Sequence, residues 1–167
     1  FSFATLRFGL ATILTLFIVN KKIFNLTKEE LWGGIVCGFF LFLGYAFQNF
    51  GLIHTTATKS AFITSISVLI VPIMLVLLNV KKVQLRIWIA VLLATAGLYL
   101  LILPGGNINI GDIITFGCAV SFALHIIAQD NFIKKEIRLI PFVNVQLAFV
   151  TIVSLFHALM FEPDPII

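Results

Sequence analysis

Two long apolar runs, separated by a very short polar break, occupy the stretch from Gly44 to Pro72. Each run is longer than an ordinary soluble helix and long enough to cross a bilayer. Because polar groups at membrane depth are costly unless protein or water surrounds them, the stretch predicts a tight helical hairpin whose polar side chains face a protein interior or an aqueous cavity. The break contains a histidine, three threonines and a lysine, namely His54, Thr55, Thr56, Thr58 and Lys59.

The composition of the whole chain indicates the same class of protein. Of 167 residues, 60% are hydrophobic and only 11% are charged, whereas about a quarter of the residues in a soluble domain are charged. A soluble protein of this length could not bury so much apolar surface. The sequence therefore predicts an all-α, polytopic membrane helix bundle in contact with the lipid bilayer.

Six apolar segments are candidates for membrane-spanning helices. Each has roughly the 17–25 residues that cross about 30 Å of hydrocarbon. Pro72 falls inside the third segment, where a proline removes a backbone hydrogen bond, so we expect a kink there. The predicted spans are Phe1–Val19, Leu31–Leu52, Ala57–Leu78, Leu85–Leu103, Gly111–Ala128 and Pro141–Phe161.

Basic residues are clustered in every second connection between these spans. The clusters are Lys21–Lys28, Lys81–Arg86 and Lys134–Arg138, and Lys59 is the one lysine or arginine in the intervening connections. This alternation follows the positive-inside rule. We therefore expect an inner-membrane protein with its Phe1 end outside and its basic connections in the cytoplasm. The net charge of +4 has the same explanation, and we predict no binding of nucleic acid.

The first and sixth spans align with each other without gaps. Thr12 matches Thr151, and Arg7 falls opposite Gln146. Apolar helices also match by chance, so the similarity has two explanations. If it is a true repeat, the repeated unit contains five helices, and an odd number of helices places the second copy upside down in the membrane.

The hairpin also contains four short motifs in a fixed order: Gly51-Leu52, Thr55-Thr56-Ala57, Ser60-Ala61-Phe62-Ile63-Thr64 and Val71-Pro72. Together they resemble the corresponding region of the EamA-type permeases in the drug/metabolite transporter superfamily. The resemblance implies a ten-helix fold made of two inverted repeats. Residues 1–103 would then supply helices two to five of the first repeat, and residues 111–167 the first two helices of the second.

The same resemblance implies a function in transport. EamA-type permeases move small metabolites, amino acids or drugs by alternating access, so the expected partner is a small-molecule substrate. The rival interpretation is a membrane scaffold or assembly subunit that transports nothing. A central polar cavity would distinguish a permease from a scaffold. The sequence leaves the substrate, the direction of transport, the coupling ion and the oligomeric state open.

Two basic residues at membrane depth are candidates for contact with the substrate. Arg7 lies about 18 Å from the cytoplasmic end of its helix, so its guanidinium should face the bundle interior or an aqueous cavity, unless it snorkels outwards. Lys59 lies at the outer mouth of the third span, where it either contacts water or attracts an anionic group. All carboxylates lie at or beyond the ends of the spans, so we expect these cations to bind an anionic or zwitterionic substrate.

The other candidates are uncharged. Ser60, Thr64 and Ser67 recur at i, i+4 and i+7 and so form one polar stripe, which either lines a cavity or supplies hydrogen bonds between helices. The glycines of Gly34-x-x-x-Gly38 indicate close helix packing. We predict that the substrate site includes the following residues besides Arg7 and Lys59: Tyr45, Gln48, Ser60, Thr64, Trp88, Phe122 and His125.

Nothing in the sequence indicates catalysis. We find no paired carboxylates, phosphate loop or nucleophile motif, so we predict no catalytic residue, no cofactor and no metal site. Cys37 and Cys118 both fall inside apolar runs. Their spacing supports neither a zinc site nor a disulfide, which leaves them as small packing residues.

Overall fold

The computed structural model describes residues 1–18, 25–77, 84–102 and 108–161, except for the side chains of residues 94 and 98–102. The predicted cluster residues Lys21, Lys22, Lys81 and Lys82 lie outside this part of the chain, as do the predicted span ends Val19, Leu78 and Leu103. The described helices are α1 (Ser2–Ile18), α2 (Lys28–Leu52), α3 (Ala57–Ser65), α4 (Ser67–Leu77), α5 (Leu85–Ile102), α6 (Ile110–Ile133) and α7 (Leu139–Phe161).

Four stretches of the described chain are long and apolar enough to cross a membrane. They are α2, α6, α7 and the combined length of α3 and α4. Two further apolar stretches, in α1 and α5, are shorter. The structure therefore confirms the prediction of an all-α, polytopic membrane helix bundle.

The start of α2 lies three residues before the predicted boundary at Leu31. The cause is a capping box, in which two residues satisfy each other's backbone N–H groups. The Thr27 N–H donates to Glu30 Oε2 at 2.9 Å, and the Glu30 N–H donates to Thr27 Oγ1 at 3.2 Å. These bonds begin the helix at Lys28, outside the apolar run from which the boundary was predicted.

The third predicted span is interrupted at Ile66, between α3 and α4. Pro72, where we expected a kink, lies six residues after this break, inside α4. At the break, Ser65 Oγ donates to the carbonyl of Phe62 at 2.7 Å, and the Ile66 N–H donates to the carbonyl of Ile63 at 3.1 Å. Serine hydroxyl bonds of this kind compete with the helical ladder, so the interruption precedes the proline.

The chain forms two compact units. The first unit comprises Phe1–Phe42 and Ala128–Ile167, and the second comprises Leu43–Ile127. Helices α2 and α6 each contribute residues to both units. All contacts below are described within one unit.

In the first unit, α7 packs antiparallel against α1. A Cβ placed on Gly9 would lie 3.3 Å from Thr151 Cγ2, and Asn144 Nδ2 donates to the carbonyl of Thr12 at 3.2 Å. The residue numbers rise along α1 as they fall along α7, so the two helices run in opposite directions. Two spans related by an inverted repeat must also run in opposite directions.

Helix α7 also packs against α2, and these two helices run parallel. A Cβ on Gly34 would lie 2.5 Å from Val145 Cγ1, and one on Gly38 would lie 3.0 Å from Phe149 Cβ. These positions confirm the close helix packing predicted from the glycine spacing. α6 extends beyond its predicted end at Ala128 to Ile133, and its last turn also contacts α2 in this unit.

In the second unit, α2 and α6 run antiparallel. The Phe122 ring covers Gly44, where an added Cβ would lie 2.4 Å from Cε1 of that ring. Two turns further along α2, an added Cβ on Gly51 would lie 2.2 Å from Thr115 Oγ1 of α6. The last turn of α2 therefore lies directly against the first turn of α6.

Small side chains occupy much of the interiors, and many large apolar side chains point outwards. This distribution is the reverse of that in a soluble core, and it suits a protein whose surroundings are lipid. Fully buried residues include Cys37, Cys118, Ala119 and Ala123, whereas Phe3, Phe17 and Leu77 are more than 70% exposed.

Candidate functional site

A polar cluster in the second unit joins the start of α3 to the start of α6. Asn109 and Asp112 form a capping box at the first turn of α6: the Asp112 N–H donates to Asn109 Oδ1 at 2.9 Å, and the Asn109 N–H donates to Asp112 Oδ2 at 3.1 Å. Thr56 caps α3 by accepting a hydrogen bond from the Lys59 N–H at 3.3 Å. Both helices therefore begin at this cluster.

Lys59 is paired with Asp112. Its Nζ lies 3.3 Å from Asp112 Oδ2, and Thr55 Oγ1 donates to the other carboxylate oxygen. The Asp112 side chain is 9% exposed, and the Lys59 side chain is 26% exposed. The expectation that no carboxylate would neutralise Lys59 was wrong, because the first turn of α6 comes close enough to the hairpin to bring Asp112 to it.

The predicted polar stripe lies on the protein-facing side of α3 and α4. Ser60 is 1% exposed and Ser67 is buried as well. Thr64 Oγ1 lies 3.6 Å from Cys118 Sγ on α6. Ser60 Oγ has no hydrogen-bond partner among the described residues, and an unpaired buried polar group costs about 1–3 kcal/mol.

Two aromatic candidates contact each other in the second unit. The rings of Tyr45 and Phe122 are 5.5 Å apart and meet edge to face at 79°, an arrangement that aromatic pairs prefer. Three further candidates are half-buried in this unit: Gln48 on α2, Trp88 on α5 and His125 on α6.

Arg7 belongs to the first unit and is exposed. Its Cζ lies 5.3 Å from the centroid of the Phe8 ring. The buried face of α1 is occupied by Ala4 and Phe8 instead. Arg7 therefore does not point into the interior of this unit, which was one of the positions expected for it. Eight of the nine predicted site residues therefore lie in the second unit, and Arg7 does not.

Gln146, the residue aligned with Arg7, has the opposite environment. It is 3% exposed on α7, and its Nε2 has no hydrogen-bond partner among the residues described. The proposed equivalence of the two positions therefore does not extend to their burial. Ser60 and Gln146 are thus buried polar side chains whose hydrogen-bonding capacity is not fully used within the described chain.

Besides the Lys59–Asp112 pair of the second unit, the structure has an ion pair in the first unit, which the sequence analysis did not predict. Glu30 on α2 is 1% exposed and accepts four hydrogen bonds. Arg138 Nε donates to Oε1 and Nη2 to Oε2, both at 2.7 Å. The backbone N–H of Arg138 also donates to Oε1, at 3.2 Å, and Thr27 provides the fourth bond.

We call this arrangement the Glu30–Arg138 clamp. Arg138 Nη2 also donates to the carbonyl of Asn25, so the clamp joins the segment before α2 to the segment before α7. The hydrogen bond with Glu30 raises the pKa of the Arg138 guanidinium above its ordinary value. An arginine is charged at every physiological pH, and this contact favours its charged form further.

The sequence around Glu30 and around Asp112 contains a local signal that marks a helix start. Thr27-x-x-Glu30 and Asn109-x-x-Asp112 have the spacing of a capping box, which marks a helix start. That spacing identifies Glu30 and Asp112 as groups fixed at helix N-termini. It does not identify the cation that each one binds, since Arg138 and Lys59 are distant in sequence.

The helices, their apolar surfaces and the polar clusters at the helix ends define a multi-pass α-helical membrane protein. Residues 1–103 match the EamA-like transporter family. The chain belongs to this family.

One curated relative supports the same assignment. An "Uncharacterized transporter" of Archaeoglobus fulgidus (strain ATCC 49558 / DSM 4304 / JCM 9628 / NBRC 100126 / VC-16) is 38% identical over 126 residues. The match covers 75% of this chain and 38% of the relative, so the chain spans well under half of that protein's length. No solved structure matches the chain at a significant level.

Proposed function

We propose that the chain is part of a permease that moves a small metabolite across a membrane by alternating access. Two comparisons support the proposal: the match to the EamA-like transporter family and the relative that is named a transporter. A scaffold needs no polar groups inside its apolar helices, where such groups are costly. A permease needs them to bind its substrate.

The observation that carries the proposal is the buried hydroxyl of Ser60 next to the Lys59–Asp112 ion pair. Ser60 follows Lys59 in the first turns of α3, and its Oγ has no partner among the described residues. A substrate that offers a hydrogen-bond acceptor or donor would satisfy this hydroxyl. Thr64, one turn further along, continues the polar surface toward the middle of the span.

The ion pair suggests the charge of the substrate. Lys59 and Asp112 present an ammonium and a carboxylate side by side, so a zwitterion could exchange its own two charges for theirs without leaving either one unpaired. A purely anionic substrate would have to displace Asp112 from Lys59. We therefore favour a zwitterionic substrate over an anionic one.

Other residues are assigned supporting roles in the same proposal. Tyr45 and Gln48 would add hydrogen bonds from α2, and His125 would add one from α6. Trp88 and Phe122 would form apolar walls. Arg7 lies in the first unit and has no role in this site.

The proposed organisation is two inverted five-helix repeats, with residues 1–103 in the first repeat and residues 111–167 in the second. The antiparallel packing of α1 and α7 supports it, as does the position of the matched pair Thr12 and Thr151 in their contact. We also propose that the protein lies in the inner membrane and that its basic connections face the cytoplasm. In support, Asn25 and Arg138 lie at the same end of the first unit.

Transport of amino acids by the full-length protein in proteoliposomes tests the function. Lys59→Ala should lower uptake of a zwitterionic substrate at least about tenfold, since it removes one charge-assisted contact. Lys134→Ala removes an exposed lysine that pairs with Asp130 on the same helix, and it should leave uptake unchanged. If no small metabolite is moved by the wild-type protein, the permease proposal is wrong. If uptake survives Lys59→Ala, the permease stands but this site does not.

A further inference from the structure

The Glu30–Arg138 clamp lies where α2 and α7 begin, and Gln146, whose Nε2 has no hydrogen-bond partner among the described residues, lies further along α7. Gln146 follows Arg138 by eight residues, or about 12 Å along the axis of α7. On the opposite side of this contact, Gly34 of α2 touches Val145, the residue before Gln146. One end of the α2–α7 contact therefore has a carboxylate that accepts four hydrogen bonds, and the interior beyond it has a donor without an acceptor among the described residues.

Gln146 is one turn from both Phe142 and Phe149 on α7, and these two residues lie against Gly34 and Gly38 of α2. The clamp and the Gln146 amide therefore have opposite effects on the stability of the α2–α7 contact. The clamp favours the closed contact, because bidentate hydrogen bonds between charged groups are the strongest that side chains form. The amide favours any arrangement that gives it water or a polar ligand, since a buried donor without an acceptor bears the full cost of desolvation.

We propose that the clamp acts as a latch, that is, that it holds the α2–α7 contact of the first unit closed. While Glu30 holds Arg138, the N-terminal ends of α2 and α7 stay together and water does not reach Gln146. When the clamp opens, the two helices separate at this end and the amide becomes hydrated. The open form is a local opening of the contact rather than unfolding of the unit.

A native thiol reports on this opening. Cys37 lies on α2 between the glycines that contact α7, and it is fully buried. A maleimide reacts with a thiol only where water and reagent reach it. Cys118 is equally buried but belongs to the second unit, so it reports on general loss of structure.

The experiment measures the rate at which N-ethylmaleimide modifies each cysteine in the full-length protein in membranes, by mass spectrometry of the peptides. Arg138→Lys keeps the charge but loses the planar fork, and Glu30→Gln keeps the shape but loses the charge. Each should raise the rate at Cys37 at least about tenfold while the rate at Cys118 stays the same. Lys134→Gln, which removes a charge from the same connection, should change neither rate.

Two further variants test the pairing and the role of the amide. The reversed pair Glu30→Arg with Arg138→Glu should restore slow labelling of Cys37 in part. Gln146→Leu removes the unsatisfied donor at similar volume, so in the Arg138→Lys background it should lower the rate at Cys37.

Unchanged labelling of Cys37 in both single variants would overturn the latch, and so would an equal rise at Cys118. Since the measurement needs no substrate, a failure here is distinguishable from a failure of the proposed transport function.

Discussion

Lys59 and Asp112 are joined by an ion pair with 3.3 Å between Nζ and Oδ2, which ties the first turn of α3 to the first turn of α6. Asp112 is also held by the start of its own helix, because Asn109 and Asp112 cap α6 together. The carboxylate that Lys59 binds is therefore positioned by α6 as well as by the lysine. The sequence alone presents Lys59 as an unpaired cation, whereas in the folded chain it is one member of an ion pair.

The first prediction concerns the energetic coupling of this pair. Lys59→Met should lower the free energy of unfolding by about 1–2 kcal/mol, because Asp112 stays largely buried and loses a charged donor. Asp112→Asn combined with Lys59→Met should cost less than the sum of the single changes. Denaturation of the protein in lipid nanodiscs measures the three variants. Strictly additive losses would mean that the two side chains do not interact.

A second prediction separates the structural and functional roles of Ser60. Its hydroxyl is buried and unpaired within the described chain, so Ser60→Ala should leave the free energy of unfolding unchanged or raise it by up to about 1 kcal/mol. If the hydroxyl binds substrate, the same change should weaken apparent substrate affinity about fivefold or more. Thermal denaturation and transport kinetics on one preparation give both values. A loss of stability with unchanged affinity would assign Ser60 a structural role.

The glycines of α2 provide a third prediction. Gly34→Ala should destabilise the protein by about 1–3 kcal/mol, since the new methyl group would overlap Val145. Its matched control is Gly97→Ala on α5, where nothing lies within 4 Å of an added Cβ. That change should stabilise the helix by about 0.5–1 kcal/mol. Equal effects at the two positions in thermal denaturation would show that α2 and α7 are not in close contact.

The fourth prediction concerns orientation in the membrane. A cysteine at Lys134 should be protected from an impermeant thiol reagent added outside intact cells, because basic connections remain in the cytoplasm. A cysteine at Ile53, which is 70% exposed in the hairpin, should be labelled. Permeabilised cells provide the control in which both positions react. Labelling at Lys134 but not at Ile53 in intact cells would reverse the proposed topology.

Much of the fold could be predicted because apolar length and glycine spacing are local signals. The spans required only runs of apolar residues, and the contact at Gly34 and Gly38 required only their spacing. The break at Ile66 could not be read in the same way. A proline is visible in the sequence as a helix breaker, whereas a serine hydroxyl that bonds to its own helix depends on its rotamer.

The polar sites were predicted less well, because each depends on residues far apart in the chain. Glu30 binds an arginine that lies 108 positions later, and no pattern around either residue indicates the other. Arg7 shows the converse limit. Its depth in an apolar helix suggested an interior position, but a helix has several faces, and Ala4 and Phe8 already occupy the buried one.

The small-residue interior determines which positions should tolerate mutation. In a soluble protein, large apolar positions are the sensitive ones, but here Phe17 and Leu77 lie on the outside and should accept almost any apolar replacement. The intolerant positions should be Ala119, Ala123 and Cys118, which are fully buried, so an added methyl group would have to displace a neighbour. A saturation scan of this chain would therefore place its strongest selection on alanine and cysteine, and hydrophobicity would be a poor guide to the positions that matter.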